Sequence, residues 1–315
     1  MSDYLWNPAH EPDPDVRAIE ERLAPLRREP PSLRELPDRS PVLPPSWRRL
    51  FVAAPALLAA CLLVAASLAL LARGKGWEVR WEGERTTRLA RGEWLETGGA
   101  TARLSVGRIG TLTLEPGTRL RLVSDSPRDH RVALARGTVR AEIQAPPRRF
   151  FVETPAATAI DLGCAYTLST DEAGNGLLRV RAGWVSFERR TAGALDEVVV
   201  PAGASCRVSA RRGPGVPAWD DAPEPFLSAL ARWEESAESA GDAPPLDDLL
   251  RTARPRDGLT LLGLAPRLDA AGRAAVFDRL AALSPTAALP SRDRFVAGDA
   301  GAREALRGVL GLPTP

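Results

Sequence analysis

Several chemically useful residues are scarce. In 315 residues there are two histidines, three cysteines and one lysine. The histidines, His10 and His130, lie far apart, and neither stands with a Ser or Cys nucleophile and a third orienting group in a hydrolase pattern. His10 has no cysteine near it, as a zinc site would require. No Gly-rich loop sits between a strand and a helix, so a phosphate cradle is not indicated, and Gly174-Asn175-Gly176 reads as a turn. Charge of one sign is missing too: 42 basic residues face 40 acidic ones, which gives no global field for nucleic acid. Lys75 is the only lysine, a bias we assign to composition and not to a site. The acidic pairs Asp220-Asp221 and Asp247-Asp248 read as solvated charges, and His130 as a surface residue on a strand edge. These scarcities argue against an enzyme and imply no cofactor and no metal.

What the chain does have is one long apolar run. Phe51 to Ala72 reads FVAAPALLAACLLVAASLALLA, with no charge. A bilayer-spanning helix needs about 20 such residues. Arg48 and Arg49 bound the run on one side, Arg73 and Lys75 on the other. Membrane helices tolerate Pro55 and Ser67, and a cleaved signal peptide has a shorter apolar core nearer the N-terminus. Residues 51–72 are expected to be a single transmembrane helix with a part of the chain on either side. Cys61, inside it, is a small apolar residue.

Residues 1–29 form a short tail. Tyr4, Leu5 and Trp6 sit in a segment too short to bury them; they are either incidental or an anchor for a partner, since aromatic residues dominate interface hot spots. Asp13-Pro14-Asp15 opens a helix, with Asp as N-cap and Pro at the first helical position. Val16, Ile19 and Leu23 then make one apolar stripe, and Pro25 ends the helix. A helix of about three turns is marginal alone, so the stripe wants a partner. Residues 30–50, with six prolines from Pro30 to Pro45, read as a semi-rigid spacer.

After Gly76 the pattern changes to period two. Leu104 and Val106, Leu112 and Leu114, Leu120 and Leu122, and Val139, Ala141 and Ile143 alternate with polar residues. Turn signals separate them at Gly98-Gly99, Pro116-Gly117, Ser126-Pro127, Pro146-Pro147 and Asn175-Gly176. Residues 76–212 are expected to be an all-β domain, an antiparallel sandwich or roll of many short strands. A glycine recurs at strand starts, at Gly92, Gly137, Gly183 and Gly203. Residues 213–224 read as a linker. Residues 225–315 return to helical spacing: Phe226, Leu230 and Trp233 on one face, Val276, Leu280 and Leu283 on another, Ala302, Leu306 and Val309 on a third. Leu246, Leu249 and Leu250, with Leu259 to Leu264, predict two short helices between them, and Asp299 caps the last. This region is expected to be a small helical bundle docked on the sheet or on a partner.

The series of β segments carries a resemblance. It runs Gly110-Thr111-Leu112-Thr113-Leu114-Glu115-Pro116-Gly117-Thr118-Arg119-Leu120, then Leu134-Ala135-Arg136-Gly137-Thr138-Val139, then Phe150-Phe151-Val152-Glu153-Thr154-Pro155. Gly163-Cys164-Ala165-Tyr166, Val180-Arg181-Ala182-Gly183-Trp184-Val185 and Pro201-Ala202-Gly203 follow. In order and spacing this resembles the ferric-citrate regulator (FecR) family domain over roughly residues 85–210. Cys164 stands where that family usually has Thr, and the tail lacks the helical anti-sigma segment of its better-known members. The resemblance implies a single-pass regulator of the bacterial inner membrane. Its N-terminal tail would be cytoplasmic and its β and helical parts periplasmic. It would relay an envelope signal, a periplasmic protein or small ligand, to a cytoplasmic protein, an extracytoplasmic-function sigma factor, without touching nucleic acid directly. Tyr4, Leu5, Trp6, Val16, Ile19 and Leu23 would hold that partner. Charge does not fix the orientation: Arg34, Arg39, Arg48 and Arg49 precede the span, while Arg73, Lys75, Arg80, Arg85 and Arg88 follow it, and long folded domains translocate largely regardless of charge. In an oxidising periplasm Cys164 and Cys206, both of inward parity, are expected to pair as a disulfide; the alternative is two buried thiols that never meet. The competing function is an envelope scaffold or binding module with an inert tail.

Overall fold

The computed structural model describes residues 14–26, 76–83, 85–191, 194–238 and 246–312. The chain divides into two compact units, Met1–Val64 and Ala65–Pro315. In the first unit, α1 spans Pro14–Leu23 and a 3-10 turn, Ala24–Leu26, follows it at Pro25. Proline starts the helix where its missing N–H costs nothing, and Asp15 lies in the first turn. Among the described residues no helix is long and apolar enough to cross a membrane. The run 51–72 lies outside the described residues, as do Tyr4, Leu5 and Trp6.

The second unit is mainly β, followed by helices. Its strands are β1 (Trp77–Trp81), β2 (Thr86–Leu89), β3 (Trp94–Glu96), β4 (Ala102–Val106), β5 (Gly110–Leu114), β6 (Arg119–Ser126), β7 (Asp129–Ile143) and β8 (Phe150–Glu153). Then come β9 (Thr158–Asp161), β10 (Ala165–Thr170), β11 (Gly176–Ala182), β12 (Trp184–Thr191), β13 (Ala194–Pro201), β14 (Ala204–Ser209), β15 (Gly213–Pro214) and β16 (Ala218–Trp219). The helices are α2 (Glu224–Glu238), α3 (Asp247–Thr252), α4 (Gly258–Leu264), α5 (Ala270–Leu283), α6 (Arg292–Val296) and α7 (Ala300–Val309).

Two sheets share the long strand β7. Its second half, from Gly137 to Ile143, pairs with β5 and β10 in a sheet ordered β2-β1-β4-β5-β7-β10-β11-β14, with β15 and β16 both on β14. Its first half, from Asp129 to Arg136, pairs with β6 and β8 in a sheet ordered β3-β6-β7-β8-β9-β12-β13. The chain geometry requires β7 to fold back on itself. Its end, Ile143, and its start, His130, must both lie near β8, because β8 begins at Phe150 opposite His130. Seven chain steps from Ile143 to Phe150 reach at most about 25 Å, whereas thirteen steps of straight strand would carry Ile143 about 43 Å away. The bend is therefore built in, and it places one sheet over the other.

The bend falls at Gly137, whose φ is +95°. A Cβ there would come closer than 3.0 Å to the Cα, Cβ and Oγ1 of Thr118, so no other residue fits without displacing backbone. Two threonines staple the corner. Thr118 Oγ1 accepts from Thr138 N at 3.0 Å and donates to Thr138 O at 3.1 Å. Thr97 Oγ1 accepts from Thr118 N at 2.9 Å and donates to Glu115 O at 2.8 Å. Both threonines are buried, and their hydroxyls tie together the backbone of three segments at the change of sheet. The recurring glycines of the sequence all mark such corners: Gly92, Gly137, Gly183 and Gly203 have φ of +87°, +95°, +71° and +80°.

The expected alternation is visible in burial. Leu104, Val106, Leu112, Leu114, Leu120, Leu122, Val139, Ala141 and Ile143 all face one core. One part of the expectation is corrected: β7 and β8 run parallel, in register His130↔Phe150 to Ala133↔Glu153, a consequence of the folded-back strand. A second correction concerns His130. It is 6% exposed, its ring centroid is 6.1 Å from that of Trp77, and it packs against Gly107.

The helices close one end of the same core. Phe226, Trp233, Leu261, Phe295 and Leu306 belong to the cluster that contains Leu104 and Tyr166. Residues 213–219 carry β15 and β16, and they hold the helices by hydrogen bonds from Trp219 Nε1 to Arg256 O (2.6 Å), Thr260 Oγ1 to Pro217 O (2.8 Å) and Val216 N to Glu234 Oε1 (3.0 Å). Asp269 caps α5 and Asp299 caps α7, accepting from Gly272 N and Ala302 N at 2.8 and 2.7 Å, while Val309 points outward at 41% exposure.

Candidate functional site

α1 puts Val16, Ile19 and Leu23 on one helical face, as their spacing predicts. No residue of α1 is buried, and Ile19 and Leu23 are 58% and 53% exposed. A short helix with an apolar stripe is marginal on its own.

Cys164 and Cys206 are both buried, as their parity implies, and both are free thiols. The expected disulfide is not formed, for a topological reason. Cys206 on β14 lies opposite Leu178 on β11, and Leu178 lies opposite Leu168 on β10, four residues along from Cys164. Two strand spacings and that offset separate the pair by on the order of 16 Å, whereas a bridge needs Cα atoms within about 7 Å.

Cys164 instead donates its thiol proton to Asp161 Oδ2 at 2.6 Å, and Gly163 N donates to Asp161 Oδ1 at 2.7 Å. Asp161 is 1% exposed at the inward end of β9. Burial pushes its carboxyl above the usual carboxylate range, and the two donors offset only part of that. Burial likewise pushes the Cys164 thiol up, with Asp161 adding to it, and raises Tyr166, whose hydroxyl is buried beside them with no partner. A thiol held as the thiol is a poor nucleophile and a poor redox centre.

Surface chemistry concentrates elsewhere. Trp94 on the outer strand β3 is 44% exposed, with the guanidiniums of Arg119 and Arg121 4.4 and 5.2 Å from its ring centroid. Arg148, at φ +61°, reaches Glu188 at 2.9 Å and Glu197 at 3.5 Å across the face of β12 and β13. A groove of about 530 Å³ opens where β11, β14 and β15 meet α2. Arg207 and Arg212 stand on its strand side, Trp233 and Glu235 on its helix side. The period-two and helical patterns placed Trp233 in the core but gave no sign of the groove, because its walls come from segments far apart in sequence. The acidic pairs are solvated as read: Asp221 meets Arg254 and Arg256, and Asp248 meets Arg232 and Arg251. Among the described residues no group of three His, Cys, Asp or Glu side chains could hold a metal.

The arrangement is that of a two-sheet β domain whose far end is packed with helices. Residues 93–186, which include β7 and the corner at Gly137, match the family model described as FecR protein; over that stretch the chain carries a FecR domain. None of the curated proteins compared matches the chain. Two crystal structures of a candidate anti-sigma factor from Parabacteroides distasonis are similar at 16% identity and a TM-score of 0.34. Each similarity covers 44% of this chain, and the chain spans 65% and 64% of those two chains.

Proposed function

We propose that the chain is a single-pass membrane regulator of FecR type, relaying a signal received by its β domain to a cytoplasmic partner, an extracytoplasmic-function sigma factor. The FecR match over residues 93–186 carries this reading. Three features support it. The uncharged run at 51–72 is long enough to separate two compartments. The tail before it carries a helix on which Ile19 and Leu23 are exposed. The folded unit after it presents a groove between β14 and α2, and no metal-binding cluster is found among its described residues. Transmission through a lone helix and a proline-rich spacer favours recruitment or regulated proteolysis over a rigid lever.

The test is recovery of cytosolic partners by the membrane-bound chain with and without residues 2–28. Loss of a sigma factor from the truncated bait supports the reading. Recovery of the same set by both baits refutes it and favours an envelope scaffold with an inert tail.

A further inference from the structure

The groove between β14 and α2 is bipolar. Arg207 and Arg212, exposed on the strand side, make no ion pair and no side-chain hydrogen bond among the described residues. Glu234 and Glu235 line the groove from α2; Glu235 makes no ion pair or side-chain hydrogen bond among the described residues, whereas Glu234 accepts from Val216 N at 3.0 Å and Arg267 donates to the carbonyls of Pro214 and Gly215 at 2.8 and 2.9 Å. Leu177, cross-strand from Arg207 on the same face of the sheet, and Trp233 lie between the walls. Trp233 is only 3% exposed, yet its Nε1–H has no acceptor among the described residues. A buried indole donor without an acceptor is rare, and it costs stability until an acceptor arrives.

These features specify what would fill the groove. A simple anion would satisfy the arginines and be repelled by Glu235. An apolar ligand would leave Nε1 unpaired and strip water from two guanidiniums. A peptide answers all three demands: a backbone carbonyl for Nε1, an apolar side chain for the floor, and an acidic side chain for the Arg207 and Arg212 forks, which match carboxylates. We propose that this groove binds a short acidic-apolar peptide segment of a partner protein. The site stands on the groove's own chemistry and does not depend on the relay reading above.

The full chain in detergent micelles, labelled with ¹⁵N at its tryptophan indoles, reports directly. Trp233→Phe assigns the signal by its disappearance. Acetyl-Ala-Leu-Glu-Ala-amide is expected to move the Trp233 indole N–H saturably and to bind about tenfold more tightly than acetyl-Ala-Leu-Lys-Ala-amide. The double variant R207E/R212E, whose sites are exposed, is expected to leave the other indole signals in place and to reverse that order. The proposal is overturned if the Glu peptide leaves the signal unmoved, if both peptides move it equally, if the order survives the charge swap, or if inorganic phosphate alone moves it as far.

Discussion

Gly137 passes over Thr118 with no room for a side chain between them, and Thr118 hydrogen-bonds both backbone groups of the next residue, Thr138. At this contact β7 leaves one sheet and joins the other, so both sheets depend on it. Gly137→Ala adds a Cβ onto Thr118 at a φ of +95°. Backbone strain and overpacking together are expected to cost about 3 kcal/mol or more. Gly117→Ala is the matched control: its φ is +77°, with open space around the site, so it should cost only about 1 kcal/mol. Urea unfolding followed by tryptophan fluorescence measures both, and equal losses would show that the close approach is unimportant.

Thr118→Val keeps the shape and removes the hydroxyl. Thr138 N loses its acceptor and the corner its staple, at an expected cost of about 2 kcal/mol. Thr118→Ser retains both bonds and should recover most of that loss. If serine is as damaging as valine in the same unfolding measurement, the methyl group and not the hydroxyl holds the corner.

Much of this architecture was legible in the sequence, and the parts that were not share a cause. Alternating Leu and Val residues from Leu104 to Ile143 placed the strands, and Asp299 placed a helix start, because both signals are local. The sharing of β7 between sheets is non-local. Gly137 signalled a corner, but only the short return from Ile143 to Phe150 shows that the strand must fold back, and that required knowing what β8 pairs with. Strand parity put Cys164 and Cys206 inside correctly; it could not reveal that β11 lies between them. His130 sits among charges in the sequence and is buried because the β4–β5 turn at Gly107 closes over it. The α2 groove was invisible for the same reason: Arg207 and Glu235 face each other only in the fold.

Because the two thiols are far apart, redox conditions should not matter to the fold. The melting temperature of the full chain is expected to be the same with and without dithiothreitol, and Cys164 and Cys206 should react with maleimide only after denaturation, since burial protects them and keeps them protonated. A drop in melting temperature on reduction would mean that a bridge forms after all.

Asp161 gives stability an unusual pH dependence. Burial raises its carboxyl above the ordinary value of about 3.9, so in the native state it keeps a proton that the unfolded chain has already released. Where the native state binds more protons, stability rises as pH falls. That gain runs from the raised native value down to the ordinary one. Asp248, beside Arg251, and Asp278, beside Arg292, are held low and act in the opposite direction, so the difference between wild type and Asp161→Asn is the quantity to measure. The stability of the variant relative to wild type should be greatest at neutral pH and fall on acidification through this window. A difference that stays flat with pH would place Asp161's carboxyl at its ordinary value.

The exposed stripe on α1 offers the sharpest test of the tail. Ile19 and Leu23 are more than half exposed and belong to a different compact unit from the β strands, so Ile19→Asp and Leu23→Asp should leave the melting of the β domain unchanged. If the stripe is a docking face, each substitution exchanges a buried apolar side chain for a charge at the interface. Losing the apolar contact alone costs about 1.5–3 kcal/mol, which is at least about tenfold in affinity. Arg17→Ala, on the same helix but off the stripe, should have little effect, because exposed charges at an interface rim contribute little. Recovery of the cytosolic partner from membranes carrying each variant decides the matter: a stripe that binds loses its partner with either aspartate and keeps it with Arg17→Ala, whereas an inert tail shows no difference among the three.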